Sequence, residues 1–207
     1  MATRATSNLE QDPIDKSAYL QSVKGQTVTQ VREGIQRTSV VVMYSAAAVG
    51  SSVALLLVPN LETITLVVFL VSYMHGLRTG FATMLTTAII FELFASMIYG
   101  VAGYLLPFKV LAYTLTVLVA VSLRSSNVDF GTLQFGRPLL FSIGVFVTLI
   151  FDLSTSIGFL FVVQDLGQFF VFFLSGIPWI VFHQLCNGTL FTLIPSLSRD
   201  GRRDVIP

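Results

Sequence analysis

The sequence predicts an all-α integral membrane protein with about six transmembrane helices in a single bundle. The first observation is compositional. Hydrophobic residues make up 54% of the 207 residues and charged residues only 11%, against about 25% in a typical soluble domain. The second observation is that the apolar residues form long runs, since a helix needs about 20 such residues to cross the hydrocarbon core.

The first three candidate spans are bounded by charges, Gly or Pro. The first, 39–58, follows Arg37 and ends before Pro59. The second, 61–76, is short, and the third is 78–99. Around the YMHGLRTG segment that joins these two, a re-entrant or interfacial segment could replace one full span.

The remaining spans are 105–123, 138–163 and 168–194. The fourth ends before Arg124. The last two exceed the length that a straight crossing needs, which predicts tilt, ends outside the membrane and a kink at Pro178.

Basic residues predict the orientation, because cytoplasmic loops and tails hold an excess of Lys and Arg. Six spans place both termini on one side, and the opposite side holds Lys109, Glu62 and Asp165. Both termini are therefore predicted to be cytoplasmic, in the plasma membrane. The basic residues on the side of the termini are Lys24, Arg32, Arg37, Arg78, Arg124, Arg137, Arg199, Arg202 and Arg203.

Three regions follow from this topology. Residues 1–37 are predicted to be a cytoplasmic tail, partly disordered or forming a short surface helix. Residues 38–197 form the transmembrane domain, and residues 198–207 form a cytoplasmic C-terminal tail.

Composition also excludes several classes of function. The 12 Lys and Arg residues are balanced by 11 Asp and Glu residues, so no basic excess favours nucleic acid. The single cysteine, Cys186, has no Cys or His neighbour at zinc-site spacing, and neither a metal site nor a cofactor is predicted.

Asp152 lies near the middle of the fifth predicted span, within FDLSTSIG (151–158). A charge at such a depth costs roughly 2.5–3.5 kcal/mol on insertion scales, so intramembrane ionisable groups mark functional sites by default. Thr148, Thr155 and Ser156 fall at helical spacing from Asp152 and are expected on its face.

The sixth predicted span carries a second polar stripe. Trp179, His183 and Asn187 are spaced by four, which places an indole, an imidazole and an amide on one side of the helix. The third span adds Glu92. These groups predict a binding site for a small molecule, whereas Glu62, at a span end, is expected to be solvated.

A structural interpretation of the same residues remains open. Glu92 or Asp152 could be protonated, or could pair with His183 to hold helices together. Trp179 could anchor its helix at the membrane interface.

Small residues mark one face of the first span. Ala46, Gly50 and Ala54 recur every four residues, a spacing that lets another helix approach closely. This face is expected either to pack internally or to dock a further subunit.

These features together resemble the substrate-binding S component of energy-coupling factor (ECF) vitamin transporters over roughly residues 39–197. The resemblance lies in the small-residue first helix and in four later motifs, which are PNLETITL (59–66), MHGLRTG (74–80), FDLSTSIG (151–158) and GIPWIVFHQLCNG (176–188). It implies a six-helix subunit that captures a vitamin or related micronutrient from outside and docks a transmembrane coupling subunit through the first helix. Gly50 stands where the family's usual motif has an alanine.

The chain lacks a GxxxxGK[ST] phosphate loop, so the resemblance implies that separate ATPase subunits drive uptake and that this chain is not an enzyme. The substrate and the choice between a dedicated and a shared ATPase module stay open. Other interpretations are a scaffold of a cell-envelope complex, a small channel or unrelated carrier, and a membrane-embedded hydrolase using Asp152, Glu92 and His183.

Overall fold

The computed structural model describes residues 16–55, 62–99, 103–130, 133–163 and 165–194, with side chains from residue 28 onward. All regular structure in these ranges is helical, which confirms the predicted all-α class. The six helices are α1 (Lys16–Ala54), α2 (Ile64–His75), α3 (Leu77–Tyr99), α4 (Leu106–Ser125), α5 (Gly136–Val163) and α6 (Leu166–Phe191).

Four of these helices, α3 to α6, are long and apolar enough to cross a membrane. They begin and end close to the predicted spans 78–99, 105–123, 138–163 and 168–194. The chain is therefore a multi-pass membrane protein, and its orientation remains a prediction.

Helix α2 is shorter than a membrane span and lies at the centre of the packing. Its 12 residues extend about 18 Å, whereas the hydrocarbon core is about 30 Å thick. It contacts α3, α4, α5 and α6, and most of its side chains are buried. Helices α3 to α6 thus surround an apolar segment that hardly meets lipid.

The chain divides into two compact units at residue 38. In the first unit, α1 begins at Lys16 and its side chains from 28 to 38 are exposed. In the second, the end of α1 contributes Ala48 to the core formed with α2, α3, α4 and α5. Residues 1–15 of the predicted N-terminal tail and the predicted C-terminal tail, 198–207, lie outside the described residues.

Close packing of α5 on α6 positions the candidate site. At Gly144 of α5, an added Cβ would lie 3.0 Å from the Cα atom of Gly188 and 2.9 Å from the ring of Phe191. Only residues without a side chain allow two helix backbones to approach this closely. This contact sets the spacing of the two helices two turns from Asp152 along α5.

Candidate functional site

Asp152 and His183 meet between α5 and α6. The Oδ1 atom of Asp152 lies 2.8 Å from Nδ1 of His183, and both residues are buried. The sequence placed each on a polar stripe of its own helix, and the packing of α5 against α6 brings the two stripes together.

The contact extends along both helices by one turn. The side-chain amide of Asn187 lies 3.0 Å from Nε2 of His183 and donates a hydrogen bond to Oγ1 of Thr148 at 3.1 Å. Because the amide donates to Nε2, the imidazole proton is on Nδ1, which donates it to Asp152.

Two oxygen atoms in this polar group lack a hydrogen-bond partner among the described residues. They are Oδ2 of Asp152 and Oδ1 of Asn187. A buried polar atom without a partner carries a desolvation cost of about 1–3 kcal/mol, and more when it is charged. Oδ2 of Asp152 is thus a buried acceptor with the capacity to receive a further hydrogen bond.

A cavity of about 360 Å³ lies directly beside this carboxylate. Its polar lining consists of Asp152, Thr155 and Ser156, and the rest of its lining is apolar, aromatic or glycine. The volume falls within the range of about 300–1,000 Å³ for sites that hold small molecules. The apolar, aromatic and glycine lining residues are Leu105, Phe159, Phe169, Phe172, Phe173, Gly176, Trp179 and Ile180.

The cavity brings together four of the predicted substrate-binding residues, which are Asp152, Thr155, Ser156 and Trp179. The hydroxyl of Thr155 donates to the carbonyl of Phe151 at 2.9 Å, which leaves its oxygen lone pairs able to accept. His183 and Asn187 do not line the cavity. They form the layer behind Asp152 and hold its carboxylate in place.

Glu92 does not belong to the polar group around Asp152. Its carboxylate is buried in α3 and lies 2.5 Å from Nζ of Lys109 on α4, which also lies 5.9 Å from the centre of the Phe91 ring. Glu92 does not line the cavity. Glu92 is therefore not part of the cavity lining, and it has an ion-pair partner of its own in Lys109.

Glu62 and Tyr113 join the surroundings of the site, although sequence reasoning did not include them. Glu62 is half-buried rather than solvated, and the Tyr113 hydroxyl donates to its carboxylate at 3.3 Å. The Tyr113 ring packs on Phe151, whose ring meets the His183 imidazole edge to face.

The small-residue face of α1 is open. Ala46, Gly50 and Ala54 are exposed, and a Cβ added to Gly50 would meet no atom within 4 Å. The neighbouring residues Ala48 and Ser52 are buried against the rest of the unit. Among the described residues, internal packing thus uses another face of α1, and the predicted docking face is exposed.

In the part of the chain that the structure describes, no group of three or more His, Cys, Asp or Glu side chains is arranged to hold a metal ion. Comparison of the chain with protein-family models, with curated proteins and with solved structures finds no match.

Proposed function

We propose that this chain is the substrate-binding membrane subunit of an energy-coupling factor type transporter. It captures a vitamin or related micronutrient from outside in the cavity between α5 and α6, and partner subunits supply the ATP hydrolysis. The observation that carries the proposal is the buried Asp152 carboxylate, which lines a cavity of ligand size and has one oxygen, Oδ2, without a partner among the described residues.

A binding role accounts for the cost of this arrangement. A carboxylate within a membrane span is expensive, and a carboxylate oxygen without a partner is more so. A ligand that donates a hydrogen bond to Oδ2 would offset that cost only when it is bound. The neighbouring layer of His183 and Asn187 fixes the carboxylate before the ligand arrives, which favours affinity.

The exposed face of α1 supports the second part of the proposal. Ala46, Gly50 and Ala54 present a smooth surface on which a helix of a coupling subunit can lie closely. Because Ala48 and Ser52 already provide the internal contacts, the open face is free to serve an external partner.

Helix assembly alone is a competing function, and one observation favours it. The hydrogen bonds from Thr148 through Asn187 and His183 to Asp152 join α5 to α6, as interhelical polar contacts do in membranes. That role uses only Oδ1 of Asp152. It gives no reason for a cavity lined by Asp152.

The geometry favours binding over hydrolysis. A histidine that acts as general base needs a ring nitrogen within reach of the substrate or nucleophile. In His183 both nitrogens are occupied, one by Asp152 and the other by Asn187. His183 also does not line the cavity.

Native mass spectrometry of the gently purified protein tests the proposal. We expect a retained small molecule in the wild type and its loss in Asp152→Asn. Asp165→Asn is the matched control, because Asp165 caps α6 from an exposed position and asparagine is an equally good cap. A folded wild-type protein without any retained molecule, or equal retention in Asp152→Asn, would contradict the binding site.

Docking is tested by purification with co-expressed coupling subunits. Gly50→Leu should abolish association and leave ligand retention intact, since leucine would fill the close-contact surface. Gly34→Leu is the control, because Gly34 is also exposed on α1 and open to added atoms. Association that survives Gly50→Leu would place the coupling subunit on another face.

A further inference from the structure

The charge of the cavity lining restricts the chemistry of its ligand. Among the described residues that line it, Asp152 is the one ionisable side chain, and there is no Lys or Arg. An anionic ligand would have to leave water without a cationic partner and approach a carboxylate. Phosphates and carboxylates are therefore disfavoured.

The unpartnered acceptor specifies what the ligand must supply. Oδ2 of Asp152 has no hydrogen-bond partner among the described residues, and a carboxylate oxygen accepts hydrogen bonds, so the ligand must supply a donor to this carboxylate. Oδ1 of Asp152 already accepts a hydrogen bond from His183, so Oδ2 is the carboxylate oxygen that still lacks a donor. An N–H group, charged or neutral, satisfies this atom.

The aromatic lining specifies the shape. Phe159 and Phe172 meet edge to face with ring centres 5.8 Å apart, and Phe169 and Phe173 are stacked at 5.8 Å. Trp179 adds an indole to the same lining. Aromatic side chains favour flat aromatic partners through stacked and edge-to-face contacts, and favour cations over their faces.

The volume limits the size. A cavity of about 360 Å³ lies at the lower end of the range for small-molecule sites. It suits one or two rings with short substituents.

We infer that the ligand is an amino-substituted aromatic heterocycle of one or two rings, without phosphate or carboxylate, whose amino group donates a hydrogen bond to the Asp152 carboxylate. This inference rests on the proposed function, because it assigns the substrate class of the same cavity. Thr155 and Ser156 supply hydroxyl groups near the carboxylate that can bind the ring nitrogens or short polar substituents.

Matched probes test the inference on the full chain in lipid nanodiscs. One set is 4-aminopyrimidine, pyrimidine and pyrimidine-4-carboxylate, and the other is 4-aminoquinoline, quinoline and quinoline-4-carboxylate. Calorimetry measures affinity. The chain contains a single tryptophan, Trp179 in the cavity lining, so quenching of its fluorescence by the pyrimidines shows whether they bind at this site.

We expect each amino probe to bind at least about tenfold more tightly than its unsubstituted analogue, because only the amino probe satisfies the buried acceptor. The carboxylates should bind least. In Asp152→Asn the preference for the amino group should fall below about threefold, and Asp165→Asn should keep it.

The outcomes separate this inference from the proposed function. Equal or tighter binding of the unsubstituted or carboxylated probes, or no binding of any amino probe, overturns the substrate class. If native mass spectrometry still finds a molecule that Asp152→Asn releases, the binding function stands with another chemistry. If it finds none, both fail.

Discussion

The hydrogen bond between Asp152 and His183 is the central contact of the site, and its removal should change the stability of the protein in a way that identifies the pair. The perturbation is a double-mutant cycle of Asp152→Ala, His183→Ala and the combined variant. Each single variant also loses packing, for example the edge-to-face contact of His183 with Phe151. The cycle cancels such terms and leaves the interaction of the pair.

The expected magnitude follows from burial and charge. The two side chains are 11% and 5% exposed, so water hardly screens their 2.8 Å contact. Hydrogen bonds to charged groups contribute about 1.5–3 kcal/mol in soluble proteins, but measured couplings within membranes average about 0.6 and reach about 1.7 kcal/mol. We expect a coupling of about 1.5 kcal/mol, near the upper membrane value. His183→Ala should be the more damaging single variant, because it leaves both carboxylate oxygens unpartnered.

Unfolding in mixed micelles with increasing dodecyl sulfate, followed by circular dichroism, measures these free energies. Thr155→Ala combined with His183→Ala is the control, since Thr155 bonds the backbone of its own helix and should behave additively. A coupling of Asp152 with His183 below about 0.5 kcal/mol, the usual limit of additivity, would refute the description of these residues as a bonded buried pair.

Two further changes test other contacts. Glu92→Gln should lower stability by about 1–3 kcal/mol, because it removes the ionic partner of the half-buried Lys109, and ligand retention should persist. Loss of the ligand in a folded variant would show that Glu92 belongs to the site. Gly144→Ala should lower the free energy of unfolding by about 1–3 kcal/mol, because the added methyl group overlaps with Gly188. Gly50→Ala is the control and should lower it by less than about 0.5 kcal/mol, because a Cβ there meets no atom within 4 Å. Equal melting temperatures of these two variants would contradict the close packing of α5 on α6.

The sequence allowed the fold class and the polar stripes to be predicted because both depend on local periodicity. Long apolar runs located α3 to α6, and spacing by four placed Asp152 beside Thr148 on one helix and His183 beside Asn187 on another. Two polar stripes within apolar helices have few ways to avoid lipid other than to face each other. The pairing of Asp152 with His183 follows from that constraint.

The location of Glu92 could not be predicted in the same way. Its partner Lys109 lies 17 residues later on the next helix, and the contact depends on how α3 and α4 are rotated about their axes. Glu62 was misjudged for a related reason, because its burial depends on Tyr113 from α4. The rotation of each helix about its axis and its depth in the membrane are set by packing around the short helix α2. Hydropathy alone does not describe this packing.

The cavity itself follows from the order of small and large residues along α5 and α6. Near one end, Gly144 and Gly188 let the two backbones come together. Toward the other end, Phe159 on α5 faces Phe172 on α6, and rings of this size keep the helices apart. Asp152 lies between the close contact and the wide one, so it lines the cavity while His183 of the packed layer holds one of its carboxylate oxygens. The same packing gradient therefore both fixes the acceptor and leaves room for the molecule that would bind it.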